Sequence, residues 1–240
     1  MPRFFARLPQ RSFLAIMLAG SALITWASIP YFDFETLPPF AIEKLPVRFE
    51  TLWLASLRLH VACALLAFPL CLLLMTRSLQ RRPFWHRLLG RISGVVVLFG
   101  LVPSGVVLAF DAKGGKLVTV GFLLSAAIVA AGMGLGVAAA RRRDFARHRR
   151  AMRHVVAQMS VAVSSRAMLI GLDMLGLDPD LSYVLALWMP VLLSAIVVEL
   201  MSRPSTSPVT TLERNHREAT SVTAVLRLRA LFRPLPRLGR

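Results

Sequence analysis

The sequence predicts an all-α fold: a polytopic membrane helix bundle with six transmembrane helices and both termini in the cytoplasm. The chain has 240 residues, of which 56% are hydrophobic and only 17% charged, whereas an ordinary soluble domain carries about 25% charged residues. The mean hydropathy is correspondingly high, at +0.63. The basic residues are also sorted by loop, which indicates how the chain is oriented. These features exclude an ordinary soluble domain.

Six stretches are long enough to cross a bilayer, since a helix needs roughly 20 mostly apolar residues to span about 30 Å of hydrocarbon. The first could instead be a secretory signal peptide, because arginines precede its apolar core. We expect it to be retained, since the segment Thr25-Trp26-Ala27 is a poor cleavage site. The six predicted spans lie at about 12–31, 52–76, 91–111, 116–140, 149–172 and 181–202.

Arginine and lysine predict the orientation of these spans. Twenty-three of the 29 lie in the N-terminal segment, in the regions after the second and fourth spans, and in the tail after the sixth. The opposite side carries only Lys44, Arg48, Lys113 and Lys116, together with most of the acidic residues. The positive-inside rule therefore places both termini in the cytoplasm. This sorting also accounts for the net charge of +17, so no nucleic-acid partner is needed to explain it.

The chain divides into three predicted parts. Residues 1–51 form the first span and an outer loop, and residues 52–202 form a five-span membrane core. Residues 203–240 form a basic cytoplasmic tail that is either flexible or lies on the membrane surface, where each arginine adds about 1 kcal/mol of attraction to anionic lipids. The expected partners are therefore the lipid bilayer and anionic lipids at its cytoplasmic face. Cys63 and Cys71 lie in one apolar run and form neither a disulfide framework nor a Cys/His zinc pattern.

Two ionisable side chains, His60 and Arg166, lie in the outer half of the predicted spans. Such groups cost about 3 kcal/mol at membrane depth, so they normally face the interior of the bundle. Both lie about eight residues, or ~12 Å, from the outer boundary. Asp173 shares a helix face with Arg166 and could pair with it directly or through water. This outer-half cluster either pins the packing of the helices or anchors an anion or a cofactor carboxylate.

A second cluster is predicted at the inner boundary. The third span is entered by the segment HRLLGR, residues 86–91, and the fifth by HRRAMRH, residues 148–154. Imidazole and guanidinium groups together can bind an anion, and Glu199 is a plausible counter-charge. The alternative is that the arginines only hold the topology. The members of this cluster are His86, His148, His154, Arg87, Arg91, Arg149, Arg150 and Arg153.

Glycine and proline predict where the helices meet and bend. Gly132 and Gly136 form a GxxxG pattern, which favours close helix packing in the fourth span. Pro103 predicts a kink in the third span, and the carbonyl groups that it frees must be satisfied inside the protein.

The order of these motifs resembles a known family. An outer-half histidine (His60) is followed by HRLLGR, a glycine pair in the next short loop, HRRAMR and the in-membrane Arg166. This order is similar to that of the domain of unknown function 2306 family of predicted bacterial membrane proteins, over roughly residues 55–202. The resemblance implies a multi-pass protein of the bacterial inner (cytoplasmic) membrane and implies no activity. The family usually has a tryptophan in the fourth span and another shortly after the second HR pair. This chain has small residues in the fourth span and Ala151 after the second HR pair.

The sequence leaves three classes of function open. The first is a binding protein whose histidines and arginines hold a cofactor, a lipid or another small anionic ligand. The second is a membrane redox protein that binds a quinone, or a b-type haem through His86 and either His148 or His154, with arginines on the propionates. Haem iron is the only metal that this pattern favours. The third is a transporter, although no inverted repeat and no mid-membrane acid is evident, and the HExxH, GxSxG and P-loop motifs do not occur.

Overall fold

The computed structural model describes residues 8–202, with the side chains of residues 12–38 and 40–202. The predicted basic tail at 203–240 therefore lies outside the described residues. The chain divides into two units, Met1–Met201 and Ser202–Arg240, and the first unit contains the helix bundle.

Every regular element of the described residues is helical. The third membrane span is one continuous helix, Pro83–Phe110, with a π-helical turn at its centre. The elements are α1 (Leu8–Ala27), a 3-10 turn (Ile29–Phe32), α2 (Pro39–Lys44), α3 (Glu50–Leu74), α4 (Arg77–Gln80), α5 (Pro83–Val95), the π-helical turn (Val96–Leu101), α6 (Val102–Phe110), α7 (Gly115–Arg141), α8 (Phe145–Met174) and α9 (Pro179–Ser202).

Five helices of the described part are long and apolar enough to cross a membrane: α3, the Pro83–Phe110 helix, α7, α8 and α9. The apolar part of α1, Ser12–Ala27, is shorter. The predicted all-α polytopic bundle is confirmed. The largest difference in bounds is at the third span, which starts at Pro83 and not near residue 91. The arginines of HRLLGR lower the hydropathy of a segment that is nevertheless helical.

The two ends of the bundle differ in the charge of their loops. The basic end carries α4 and the turn between α7 and α8, which contain Arg77, Arg142 and Arg143. The acidic end carries the loops that follow α1, α6 and α8. The positive-inside rule predicts that the basic end is cytoplasmic.

The largest core lies where α3, the π-helical turn, α7 and α8 meet. Here α8 packs along α7, while α3 packs against the π-helical turn and α6. A side-chain carbon on Gly132 of α7 would lie 3.0 Å from Val155 Cγ2 and 3.3 Å from the carbonyl oxygen of Ala151. The glycine packing predicted for the fourth span is therefore present, and it allows α7 and α8 to lie close together. The buried residues of this core are Met17, Ala67, Phe68, Cys71, Leu72, Val97, Val129, Met133, Val155, Val156 and Met159.

The loop between α1 and α3 packs as a cap on the acidic end. Trp53 of α3 is buried against Ala41 of α2. Arg58 donates hydrogen bonds to the carbonyl oxygens of Tyr31 (3.3 Å) and Asp33 (3.2 Å). These contacts hold the loop against the helix ends, so it is too short and too closely packed to form a domain of its own.

An exposed ion pair joins this cap to the loop after α6. Lys113 donates a hydrogen bond to Glu43, and this bond and the ammonium charge hold the pKa of the Glu43 carboxyl below its usual value. The contribution of the pair to stability is present at neutral pH and is lost as the pH falls through that lowered pKa. Because both groups are exposed, solvent screening keeps the contribution small.

Candidate functional site

Two histidines from separate spans lie at the basic end, near enough for their charges to interact. His86 lies at the start of α5 and His148 at the start of α8, and the two rings are within electrostatic range of each other. Asp144 caps α8 by accepting a hydrogen bond from the amide of Arg147 (3.0 Å). Pro83 occupies the first position of α5, for which the fixed φ of proline is well suited. The two helix starts therefore place two imidazoles that are far apart in the sequence at the same end of the bundle.

The His148 ring is held in one tautomer. Its Nδ1 lies 2.8 Å from the carbonyl oxygen of Gly136, and a carbonyl oxygen can only accept, so Nδ1 carries the proton. In the neutral ring Nε2 then keeps a lone pair. His148 therefore presents a metal ligand or hydrogen-bond acceptor whose orientation is set by α7.

The His86 ring has a buried nitrogen without a partner. No group among the described residues forms a hydrogen bond with its Nδ1, and an unsatisfied buried polar atom costs about 1–3 kcal/mol. One turn further along α5, a side-chain carbon on Gly90 would meet nothing within 4 Å, so there is room on this side of the helix. A buried polar atom of this kind is commonly satisfied by a ligand, an ion or ordered water.

Arg87 and Arg91 lie beside a shallow, open depression on the exposed face of α5, which we call the groove and which side chains of this one helix line. Its other walls are the apolar side chains of Phe84 and Leu88, and its volume is about 230 Å³. The two arginines are one helical turn apart and therefore lie side by side. In the part of the chain that the structure describes, neither arginine forms an ion pair. Both guanidinium groups are therefore available to an external anion.

His154 and Arg150 are occupied by a carboxylate. His154 Nε2 lies 2.9 Å from Glu199 Oε1, and Arg150 donates to the other carboxylate oxygen. The spacing of His154 from His148 turns it to a different face of α8. Glu199 is thus a counter-charge, but for a contact between α8 and α9 and not for His86 and His148. The remaining predicted members of the cluster are exposed on α8: Arg149 and Arg153.

A polar network that the sequence analysis did not find lies in the middle of the bundle. Gln158 of α8 is buried; it accepts a hydrogen bond from Ser125 Oγ (3.1 Å) and donates to the Val191 carbonyl oxygen (2.9 Å) and to Ser194 Oγ (3.0 Å). The network joins α7, α8 and α9. The sequence feature that indicates this network is a glutamine within an apolar stretch. Glutamine is not ionisable, so the cost of burying charge does not draw attention to it.

His60 satisfies a carbonyl group near the π-helical turn. Its Nδ1 lies 3.1 Å from the Leu101 carbonyl oxygen and 3.2 Å from Ser104 Oγ, and the Ser104 hydroxyl donates within its own helix (2.6 Å). A side-chain carbon on Gly105 would lie 2.9 Å from His60 Cε1, so the close approach of the ring requires glycine. The π-helical turn ends just before Pro103, and the carbonyl groups of Gly100 and Leu101 find partners inside the protein in Ser104 and His60.

Arg166 and Asp173, which share a helix face in the sequence, do not form an ion pair in the described residues. Arg166 is exposed and turns back along α8, where Nη1 donates to the carbonyl oxygen of Ala162 (2.7 Å). Asp173 lies two turns further on, about 10 Å away along the axis. Arg166 is instead within electrostatic range of His60. The outer-half cluster thus reduces to His60 and Arg166.

The two histidine–arginine motifs, with His60 and Arg166, are all contained in a family match. The sequence matches the family described as "Predicted membrane protein (DUF2306)" over residues 57–202. The chain belongs to this family. No curated protein and no solved structure matches the chain. Membership in DUF2306 establishes a multi-pass membrane protein that is embedded in a lipid bilayer.

Ala151 of α8 lies against Gly136 of α7. In this chain a side-chain carbon on Gly136 would lie 3.4 Å from Ala151 Cβ. An indole ring at residue 151 does not fit into so close a contact between α7 and α8. The close contact between α7 and α8 therefore requires small residues on both helices, at Gly136 and at Ala151.

Proposed function

We propose that this DUF2306 protein binds an anionic lipid at the basic end of the bundle, with Arg87 and Arg91 on the headgroup. The observation that carries the proposal is the groove between these two guanidinium groups and the apolar side chains of Phe84 and Leu88. Adjacent guanidinium groups suit a phosphate, and the apolar pair suits the first part of an acyl chain. A site for a purely polar anion would not need the exposed phenyl ring of Phe84.

The position of the groove along the span supports a lipid ligand. It lies in the first turns of the Pro83–Phe110 helix, where headgroups meet the hydrocarbon. The neighbouring Trp85 is half exposed, and tryptophan is enriched at this level of a membrane. We infer that the protein lies in the bacterial inner membrane with its basic end towards the cytoplasmic leaflet, whose anionic lipids attract arginine.

Replacing Arg87 and Arg91 together by glutamine is expected to weaken the retention of phosphatidylglycerol by about 2 kcal/mol, or about 30-fold, because each arginine near a membrane surface contributes about 1 kcal/mol. The measurement is native mass spectrometry of protein released from nanodiscs that contain phosphatidylglycerol and phosphatidylcholine in equal parts. The number of bound phosphatidylglycerol molecules should fall, while bound phosphatidylcholine should not change.

Arg142 and Arg143 provide the matched control, because they lie at the same end of the bundle, in the turn between α7 and α8, and are exposed. Replacing both by glutamine removes the same charge and leaves the groove intact. The control variant should retain phosphatidylglycerol as the wild type does. Equal retention by the groove variant and the control variant would contradict the proposal.

A b-type haem is a second candidate, and the geometry of His148 favours it. Its Nδ1 is anchored on a backbone carbonyl and its Nε2 has no hydrogen-bond partner among residues 8–202, which is the usual arrangement of a metal-binding histidine. His86 would be the facing ligand, and Arg87 and Arg91 lie close to it for the propionates. His154, which is tied to a carboxylate, is left out of this role. A bound haem would make the protein an electron carrier.

The visible absorption spectrum of the detergent-purified protein tests this second candidate. Haem binding predicts Soret and α bands in stoichiometric amount after reduction with dithionite. The His148→Ala variant should lose these bands and the His154→Ala variant should keep them. A wild-type spectrum without the bands would remove the haem candidate and leave the lipid proposal standing, because neither histidine lines the groove.

A further inference from the structure

The first part of the cap lies beside α3 and not beyond its end. Arg58 donates hydrogen bonds to the carbonyl oxygens of Tyr31 and Asp33. It lies eight residues, or ~12 Å, along α3 from Glu50. Its side chain points back towards Glu50, but the side chain and a hydrogen bond together are shorter than that distance. Tyr31 also packs against the buried cluster that contains Trp53. Residues 31–33 therefore lie level with the first turns of α3.

The lengths of α3 and α1 place this level at the outer edge of the hydrocarbon. The 25 residues of α3 span ~37 Å, which exceeds the ~30 Å of hydrocarbon by only about 3–4 Å at each end. α1 packs into the main core through Met17, and its apolar part, Ser12–Ala27, is ~24 Å long. A chain that enters the hydrocarbon at Ser12 has therefore not yet left it when α1 ends. The residues that follow begin within the membrane.

Large apolar side chains are exposed along the residues that follow α1. Ile29 and Phe32 are both exposed and lie on the same side of the 3-10 turn, because residues three apart are eclipsed in such a turn. Phe34 is 77% exposed. Trp26, in the last turn of α1, is 75% exposed, so this apolar surface continues the outer side of α1. A continuous apolar surface of this kind is unfavourable in water and is typical of a contact surface.

Arg58 fixes these residues at their depth. Its guanidinium carbon lies 4.3 Å from the centre of the Phe34 ring, which is a cation–π contact. Backbone groups near the hydrocarbon must be satisfied inside the protein, and Arg58 satisfies the carbonyl groups of Tyr31 and Asp33. The Asp33 carboxylate then turns the chain by accepting a hydrogen bond from the amide of Glu35 (2.9 Å). Polar side chains that can face the headgroups thus follow directly after Phe34.

We propose that residues 29–34, which we call the interfacial segment, lie in the lipid leaflet at the acidic end, with the Phe34 ring among the first carbons of the acyl chains. The segment completes the crossing that the short α1 begins. Its partner is the bilayer, because its apolar surface is continuous with that of α1 and lies at the edge of the hydrocarbon. The inference does not rest on the groove of Arg87 and Arg91, which lies at the opposite end of the bundle.

The test measures the depth of a nitroxide spin label at residue 34 in liposomes of phosphatidylcholine and phosphatidylglycerol. The label is attached to Phe34→Cys in a protein whose two cysteines, Cys63 and Cys71, are replaced by alanine. Glu35→Cys is the matched control, because Glu35 is the next residue and is exposed. Leu59→Cys, on the exposed side of α3, is the hydrocarbon reference. Electron paramagnetic resonance gives the collision rates of each label with oxygen, which concentrates in hydrocarbon, and with a water-soluble nickel complex.

We expect the ratio of oxygen to nickel collision rates at residue 34 to approach the ratio at residue 59 and to be several-fold higher than the ratio at residue 35. Equal ratios at residues 34 and 35, with free access of the nickel complex to both, would overturn the proposal. Low access of both reagents to residue 34 would also overturn it, because a protein surface, such as that of a second copy, would then cover the segment.

A second measurement keeps the native cysteines, so that it applies even if the cysteine-free protein does not fold. Phe34→Trp and Glu35→Trp each add one indole to the same four native tryptophans. Phosphatidylcholine with bromine on the first part of its acyl chains should quench the added fluorescence of Phe34→Trp several-fold more strongly than that of Glu35→Trp. Equal quenching of the two variants would contradict a lipid-embedded segment.

Discussion

Replacing Gly132 by leucine is expected to lower the free energy of unfolding in detergent by about 3 kcal/mol, or to prevent folding. The reason is that an added side-chain carbon would lie 3.0 Å from Val155 Cγ2 and 3.3 Å from the Ala151 carbonyl oxygen. A backbone oxygen cannot rotate away, so α7 and α8 must move apart, and the buried core around Val155 loses its packing. Thermal unfolding of the purified variants measures the effect.

Gly134 and Gly136 of the same helix provide graded controls. A side-chain carbon on Gly134 would meet nothing within 4 Å, so Gly134→Leu should unfold as the wild type does. Gly136→Ala should have an intermediate effect, because the nearest atom is the flexible end of Met152. A loss of stability in Gly134→Leu as large as that in Gly132→Leu would show that helix packing at the glycine face is not the cause.

Replacing Gln158 by alanine is expected to lower the free energy of unfolding by about 2 kcal/mol, from the loss of three hydrogen bonds within the membrane. The side chain links Ser125 of α7 to the Val191 carbonyl group and Ser194 of α9. Water is scarce at this depth and cannot replace the lost partners. Unfolding of the variant in a mild detergent, followed by circular dichroism, measures the change.

Ser160 provides the control for this replacement. Its hydroxyl donates to the Ala157 carbonyl oxygen of its own helix (2.6 Å) and joins no other span in the part of the chain that the structure describes. Ser160→Ala should therefore change the free energy of unfolding by less than about 0.5 kcal/mol. Gln158→Leu keeps most of the volume of the side chain and isolates the hydrogen bonds from the packing. Equal unfolding of Gln158→Ala and Ser160→Ala would show that the network does not stabilise the bundle.

Hydropathy predicts most of this fold because the bilayer sets both the length and the polarity of a spanning helix. The positions of the five long spans follow from that constraint. The start of the third span does not, since the segment after Pro83 is helical but too basic to be recognised as apolar. No sequence pattern predicts the π-helical turn either, because the turn is stabilised by a residue of a different helix: His60 reaches the Leu101 carbonyl group.

The candidate site is predictable in part, for an identifiable physical reason. The two histidine–arginine motifs follow loops on the same side of the membrane, so their first turns lie at the same level. Helical spacing separates His148 from His154, but which of the two meets Glu199 depends on how α8 is rotated against α9. A shared helix face likewise favours pairing of Arg166 with Asp173, yet the axial separation and the local bond of the arginine prevent it.

Binding of an anionic lipid by Arg87 and Arg91 is tested most directly by the composition of the lipids that the protein retains. The fraction of phosphatidylglycerol among retained lipids is measured by native mass spectrometry and compared with its fraction in the nanodisc bilayer. The groove predicts enrichment above the bilayer fraction for the wild type and for Arg142→Gln/Arg143→Gln, with a clear fall for Arg87→Gln/Arg91→Gln. A retained fraction that equals the bilayer fraction in all three proteins would contradict lipid binding at this site.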